Sequence, residues 1–271
     1  MKHWTLDDIP WDRFDAARVD PEALRVVKAA SLVESNGGDY ATYLCNVFRD
    51  DPDFQLVARA WAEEEVQHGR ALARWAALAE PGFDFAASFK RFTDGYRLPL
   101  EATRSVRGSR TGELVARCVV ETGTSSFYTA LKEATEEPVL KLICHHIAAD
   151  EFRHYKLFYD HLKRYRAIEG VGRWRRLLVA LRRAAESDDD ELAYAYYAAN
   201  DPAGRYDRRR HGRAYARRAY PLYRPRHVDR LVAMTLKAAG FGPPGRIAAA
   251  LAALAYGFMR LRTARLARAG A

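Results

Sequence analysis

Cysteine is scarce: Cys45, Cys118 and Cys144 are three in 271 residues and lie far apart, which excludes a disulfide framework. So few thiols fit a reducing compartment, and a cytoplasmic location is the expectation. The opening MKHWTLDDIPWD is acidic and aromatic, without the charged-then-apolar order of a secretory signal. The longest apolar run, 247–259, is thirteen residues. A helical span needs about 20, so none is expected. Glycine (17) and proline (11) are too few for collagen-like or low-complexity chain. No CxxC pair occurs, and no stretch alternates as a strand would.

What remains is a chain with 49% hydrophobic and 29% charged residues, enough to build a core. Its periodicity is helical throughout. Pro21 to Phe48 forms one segment, interrupted at Gly37-Gly38, and Asp51-Pro52 opens a second that runs to about Glu80. A looser stretch joins Phe83 to Arg110. Thr111 is expected to cap a third helix reaching about Ala134, and Pro138 opens a fourth running to about Ala167. Shorter helices are expected near 171–186, 189–199, 209–219 and 225–239, with a last one over 245–268. The fold class is therefore all-α. Residues 1–170 would form a four-helix bundle, and 171–271 would be additional basic helices packing on it.

Charge divides unevenly. Residues 1–150 hold 18 Lys and Arg against 24 Asp and Glu, a net of −6; residues 151–271 hold 26 against 11, a net of +15. The Arg-rich stretch 206–220 concentrates the excess. Arg208, Arg209, Arg210, Arg213, Arg217 and Arg218 make it a candidate docking face for an acidic partner, against the plainer reading of a solvated surface. No nucleic-acid-binding motif accompanies the charge. The last helix ends in Arg260, Arg262, Arg265 and Arg268, a pattern that suits peripheral contact with a membrane as well as bundle packing.

Two ExxH pairs carry the chemistry: Glu65-Val66-Gln67-His68 and Glu151-Phe152-Arg153-His154. Chance supplies roughly half of one such pair in a chain with this many Glu and His. Both pairs also follow a second acid, Glu64 and Asp150. Each has a lone glutamate on the preceding helix, Glu34 at 31 residues and Glu121 at 30. One plan is thus repeated twice. Residues i and i+3 share a helix face, so each pair presents an oxygen and a nitrogen together. Trp61, Ala62 and Leu72 flank one pair, and Ile147, Ala148 and Phe158 the other. Carboxylates aimed into such surroundings are costly unless paired or bound to a cation. Four carboxylates and two imidazoles inside a four-helix bundle match a di-iron or di-manganese centre, and mixed oxygen and imidazole donors suit those metals. Glu64 and Asp150 are expected to receive the outer N–H of the histidines across the bundle, Asp150 from His68 and Glu64 from His154.

The segments WAEEEVQHG (61–69) and IAADEFRHY (147–155) resemble the two metal motifs of the soluble acyl-carrier-protein desaturases, members of the ferritin-like superfamily. The resemblance covers roughly residues 20–167. It implies a ferritin-like bundle in which Glu34, Glu65, His68, Glu121, Glu151 and His154 hold two iron ions, or iron and manganese, with dioxygen as co-substrate. The family's threonine, three residues after the third-helix glutamate and beside the oxygen-binding face, corresponds to Thr124, and Arg153 also matches. Gln67 stands where the family usually has arginine, and Gly37-Gly38 replaces a different segment. The activity implied is desaturase-like oxidation of an acyl chain, presented on an acidic carrier protein, with electrons from a ferredoxin-like donor and a homodimer as a candidate assembly. Hydroxylases or oxygenases of quinones or aldehydes share the doubled pattern. Rubrerythrin-like iron or peroxide handling is disfavoured by Thr124 and the missing CxxC. Trp61, one turn before Glu65, is a candidate electron route or simply a core aromatic.

Overall fold

Three of the long helices open on an acid followed by proline. At a helix's first position proline lacks only an N–H that would be unpaired anyway, and the acid before it can accept from the next free N–H groups. In the computed structural model, which describes residues 3–186, 190–242 and 245–268, all three acids do so. Asp20 accepts from Glu22 N at 2.9 Å and opens α1 (Pro21–Ser35). Asp51 accepts from Phe54 N at 3.1 Å and opens α3 (Pro52–Ala79). Glu137 accepts from Leu140 N at 2.7 Å and opens α6 (Pro138–Glu169), which ends on Gly170 in the left-handed conformation, φ 62°.

Between these lie α2 (Gly37–Val47), α4 (Phe85–Gly95) and α5 (Arg110–Ala134). The third long helix starts earlier than expected. Ser109 is its cap, with Oγ accepting from Gly112 N at 2.9 Å, whereas Thr111 sits buried in the first turn. The segment 21–48 breaks at Asn36 into α1 and α2. Close packing explains why glycine stands at the break: a Cβ on Gly37 would lie 2.7 Å from Glu65 Cβ and 3.1 Å from the Ala62 carbonyl oxygen. Gly69 answers it on α3, where a Cβ would meet Ser35 Oγ at 2.1 Å.

Further along come α7 (Arg173–Ala185), α8 (Asp190–Asn200), α9 (Arg208–Ala219), α10 (Pro225–Ala239) and α11 (Arg246–Arg268). Residue 189, where the sequence opens the eighth helix, lies outside the described residues. These helices pack on the earlier ones: α8 on α1, and α7 and α10 on α5. No strand occurs among the described residues. α11 corrects one expectation. Its helix extends through the arginines to 23 residues, so by length and composition it meets the requirement for crossing a membrane, although the apolar run within it is shorter. Ala252 is its one buried residue among those described.

Four helices share a common layering. Along α3, apolar residues Phe54 to Ala62 precede Glu65 and His68, and a second apolar set, Ala71 to Ala76, follows. Along α5, Leu114 to Val119 precede Glu121, and Phe127 to Leu131 follow. α6 runs the other way, from Val139–Ala148 through Glu151 and His154 to Tyr155–Tyr165, and α1 with α2 does likewise on either side of Glu34. Two apolar cores are thus separated by one polar layer. α1 and α6 cross it in one direction, α3 and α5 in the other. The parallel pair α3 and α5 is joined by a long crossover that contains α4.

Candidate metal centre

The polar layer gathers the residues singled out by the repeated spacing. Glu34, Glu65, His68 and Glu151 bring one ligand atom each within 4.8 Å of one another, and Glu65, Glu121, Glu151 and His154 do the same. All six are buried. Glu65 and Glu151 belong to both groups, Glu34 and His68 to one, Glu121 and His154 to the other. Such sharing is how two carboxylates would bridge a pair of cations, with one carboxylate and one imidazole left to each. His68 Nδ1 lies 3.4 Å from Glu151 Oε1, 3.8 Å from Glu34 Oε2 and 4.0 Å from Glu65 Oε2. His154 Nδ1 lies 2.9 Å from Glu65 Oε1 and 3.7 Å from Glu121 Oε2.

Each imidazole is held from behind. His68 Nε2 is 3.1 Å from Asp150 Oδ2, and His154 Nε2 is 2.8 Å from Glu64 Oε2. Both contacts cross between α3 and α6. Arg153 ties the two acids together, donating to Glu64 at 3.0 Å and to Asp150 at 2.5 Å. An outer carboxylate of this kind fixes the tautomer and leaves Nδ1 turned inward as a donor atom for a metal.

The donor set fits a cation on a direct observation: Glu65 Oε1, both oxygens of Glu121, Glu151 Oε1, His68 Nδ1 and His154 Nδ1 are buried without a hydrogen bond, the 2.9 Å approach of His154 Nδ1 to Glu65 Oε1 being too poorly aligned to make one. Buried acceptors are seldom left so, and six in one layer require a shared explanation. Protons substitute in part. Burial, then the charges of Glu151 and Glu34, pushes Glu65 well above the usual carboxylate range. Burial likewise raises Glu151, to about 8. For His68, burial works against ionisation, but Asp150, Glu151 and Glu34 prevail and hold its pKa well above the ordinary value. Burial also opposes ionisation of His154, where Glu121, Glu64 and Glu65 outweigh it. Glu34 shifts the opposite way from Glu65 and Glu151. Burial would raise it, yet bonds from His68, Glu65 and Tyr128 hold it below the usual range.

Thr124 Oγ1 lies 2.5 Å from Glu151 Oε2, closer than to the carbonyls of Glu121 (3.1 Å) and Val120 (3.2 Å) behind it. A carboxylate of the layer is therefore its nearest partner. Trp61 sits edge-on to His154, ring centroids 6.4 Å apart, and its indole N–H has no partner. The tryptophan hydrogen-bonded into the layer is Trp4, which spacing did not single out. Its Nε1 donates to Asp150 Oδ2 at 2.7 Å, and its ring stacks 6.0 Å from His68. Tyr128 was missed too; its Oη donates to Glu34 Oε1 at 2.5 Å. The arginines of 208–218 are not brought to this site. Arg218 pairs with Glu22 at 2.9 Å and Arg210 with Asp201 at 2.9 Å, while Arg208, Arg209 and Arg213 are exposed and Arg217 half-buried.

A cavity of about 50 Å³ adjoins the layer on the side between α1 and α5, under α7 and α8. Glu34, Glu65, Glu121, Thr124 and Glu151 reach it from the layer; Tyr40, Trp61, Arg117, Arg183 and Glu191 complete most of its wall. No protein-family model and no curated protein matches this chain.

Proposed function

We propose that the chain is a di-metal carboxylate oxidoreductase that uses dioxygen to oxidise a C–H bond of an acyl substrate, in the manner of a soluble desaturase. The observation that carries the reading is the buried layer of unpartnered donors in which Glu65 and Glu151 are shared by two groups of four. Iron, or iron with manganese, suits these donors. The single crossover between parallel helices is also the connection expected of a ferritin-like bundle. When bound, the metal pair would supply dioxygen activation and an oxidant strong enough for unactivated carbon.

The chain's own part is positional. Asp150 and Glu64 orient the imidazoles of His68 and His154. Tyr128 fixes Glu34, and Thr124 holds a proton at Oγ1 against Glu151 without adding a competing negative ligand. The apolar cores on both sides keep water from the layer, which strengthens every charge interaction within it. A ferredoxin-like donor and an acidic carrier are the partners this reading implies, with exposed Arg208, Arg209 and Arg213 as their docking charges.

Anaerobic reconstitution with ferrous iron followed by elemental analysis tests the centre. About two ions per chain are expected, and fewer in Glu121→Ala. A stoichiometry near zero overturns the reading. Mass spectrometry of fatty acids and other acyl products from cells expressing the protein or Glu121→Ala then tests the reaction.

A further inference from the structure

Arg117 is the residue the metal-centre reading leaves without a task. It sits on α5 in the apolar run Leu114–Val120, is 6% exposed, and lines the cavity beside Glu121 and Thr124. Its Nε is buried without a hydrogen-bond partner. Its neighbours are aromatic faces, Tyr40 with ring centroid 4.8 Å away and Trp61 at 5.9 Å. A buried guanidinium cannot shed its charge as a lysine would, so a cation held without a partner is costly.

Nearby carboxylates compensate for it only at a distance. Burial would lower the guanidinium's pKa, but Tyr40, Glu121, Glu113 and Glu191 together raise it. Each of these acids has a competing commitment. Glu113 accepts from Tyr43 at 2.8 Å and from Ser105 at 2.6 Å, and Glu191 accepts from Tyr40 at 2.7 Å. Glu121 belongs to the layer, where four carboxylates would be neutralised by two divalent cations. Glu113 and Glu191 keep their charge, but their oxygens are turned to neutral hydroxyls rather than to the guanidinium, and the space in front of Arg117 is the cavity.

We propose that Arg117 receives the carboxylate of a small free organic acid, so that the substrate enters this cavity as a monoanion and is oxidised close to its carboxylate end. The inference rests on the metal-centred oxidation proposed above but replaces its carrier-bound acyl chain with a free acid, because an acyl group esterified to a carrier has no carboxylate to offer Arg117. One guanidinium supplies the fork that matches one carboxylate bidentately. A doubly charged phosphate would bring an excess negative charge beside Glu191 and Glu121. Arg117 and Glu121 are one helical turn apart, about 6 Å along the axis, which limits the acid to a few bonds between carboxylate and reacting carbon. The cavity of about 50 Å³ sets the same limit, because it has no room for a long chain lying in full.

The test is calorimetric and does not depend on turnover. The full chain, loaded with zinc as a redox-inert probe and assayed for metal content, is titrated with acetate, butyrate, hexanoate, butyramide and inorganic phosphate. The parent should bind a short carboxylate at least tenfold more tightly than butyramide, and more tightly than phosphate. Arg117→Gln should weaken that binding about tenfold or more, the scale of a lost charge-assisted pair, with zinc content unchanged; Arg117→Lys, which keeps the charge without the fork, should fall between. The comparison of butyrate with butyramide uses the parent alone, so it stands even if a variant misfolds. Equal binding of acid and amide, preference for phosphate, or full binding by a folded Arg117→Gln overturns the inference while leaving the metal centre intact. A parent that takes up no zinc yet binds butyrate through Arg117 supports the anion site and removes the metal reading instead.

Discussion

Behind His68 stands Asp150, which is also held by Trp4 and Arg153; behind His154 stands Glu64, whose side chain keeps 24% of its exposure and leans on Arg153 and the exposed His3. Glu34, on the His68 side, is tied to Tyr128 at 2.5 Å, whereas neither oxygen of Glu121, on the His154 side, has a partner. The same sequence plan therefore builds one clamped half and one loose half. Arg117 precedes Glu121 and Thr124 follows it on the same helix, and the cavity opens there. Rigid ligands keep a cation in place, while a carboxylate with uncommitted oxygens can change its contacts as a substrate arrives. If the layer holds metal as proposed, the His68 half would retain it and the His154 half would be the one free to exchange ligands.

The strongest way to break the clamped half is to push α1 off α3. Gly69→Ala places a Cβ 2.1 Å from Ser35 Oγ and 2.6 Å from its backbone nitrogen, which a rotamer change alone cannot relieve. It should cost about 3 kcal/mol, the upper end of overpacking, seen as a lower urea midpoint at unchanged slope.

Next come the acids behind the histidines. Removing a carboxylate that orients a metal-bound histidine typically weakens metal binding about 10–100-fold. Asp150→Asn should fall at the upper end, because Trp4 and Arg153 lose their acceptor charge as well, and Glu64→Gln at the lower. Competition against a calibrated chelator measures both; equal losses would erase the proposed asymmetry.

A pH series sharpens the comparison further. Glu65 and Glu151 have folded pKa values raised above the unfolded ones, so in metal-free protein ionising them opposes folding as pH rises from the carboxylate range toward about 8. The raised histidines act in the same sense: their stabilisation is present below the unfolded value near 6.5 and is lost as pH rises through the folded one. Asp150, Glu64 and Glu34, with lowered values, contribute stability that disappears only as pH falls into the acid range. The Tm difference between metal-loaded and metal-free protein should therefore widen from pH 6 to pH 8, and metal uptake should release protons. A constant gap would show that these groups do not carry protons in the metal-free state.

The smallest effect belongs to the loose half. Gly123 lies between Glu121 and Thr124 in the middle of α5, and a Cβ there meets nothing within 4 Å. Gly123→Ala should stabilise by about 0.5–1 kcal/mol through the unfolded chain and helix propensity, detected as a slightly higher Tm. Its contrast with Gly69→Ala separates the two halves by sign.

Much of this was legible in the sequence because it is local. Acid-proline pairs mark helix starts at Pro21, Pro52 and Pro138, since cap and first turn are adjacent residues. The i, i+3 spacing puts Glu65 with His68 and Glu151 with His154 on one face before anything is known of packing. Ser109 displaced Thr111 as a cap because either hydroxyl could serve, and only the backbone path selects one. Trp4 reaches Asp150 across 146 residues, a separation at which spacing carries no signal. Arg117 left only a faint mark, a single charge inside Leu114–Val120 and one turn before Glu121; that its Nε lacks a hydrogen-bond partner is a property of the surrounding helices. The split of the apolar residues into two cores is similarly invisible in any one helix.

That split has a mechanical consequence. The apolar interior is not continuous across this plane, and in metal-free protein the contacts within it depend on which carboxylates and imidazoles carry protons. A pair of cations spanning the plane would act as rivets, converting two stacked blocks into one. Amide exchange should then slow on loading at the turns containing Glu34, Glu65, Glu121 and Glu151 from all four helices together, more than in the apolar blocks above and below, where hydrogen bonds are already shielded.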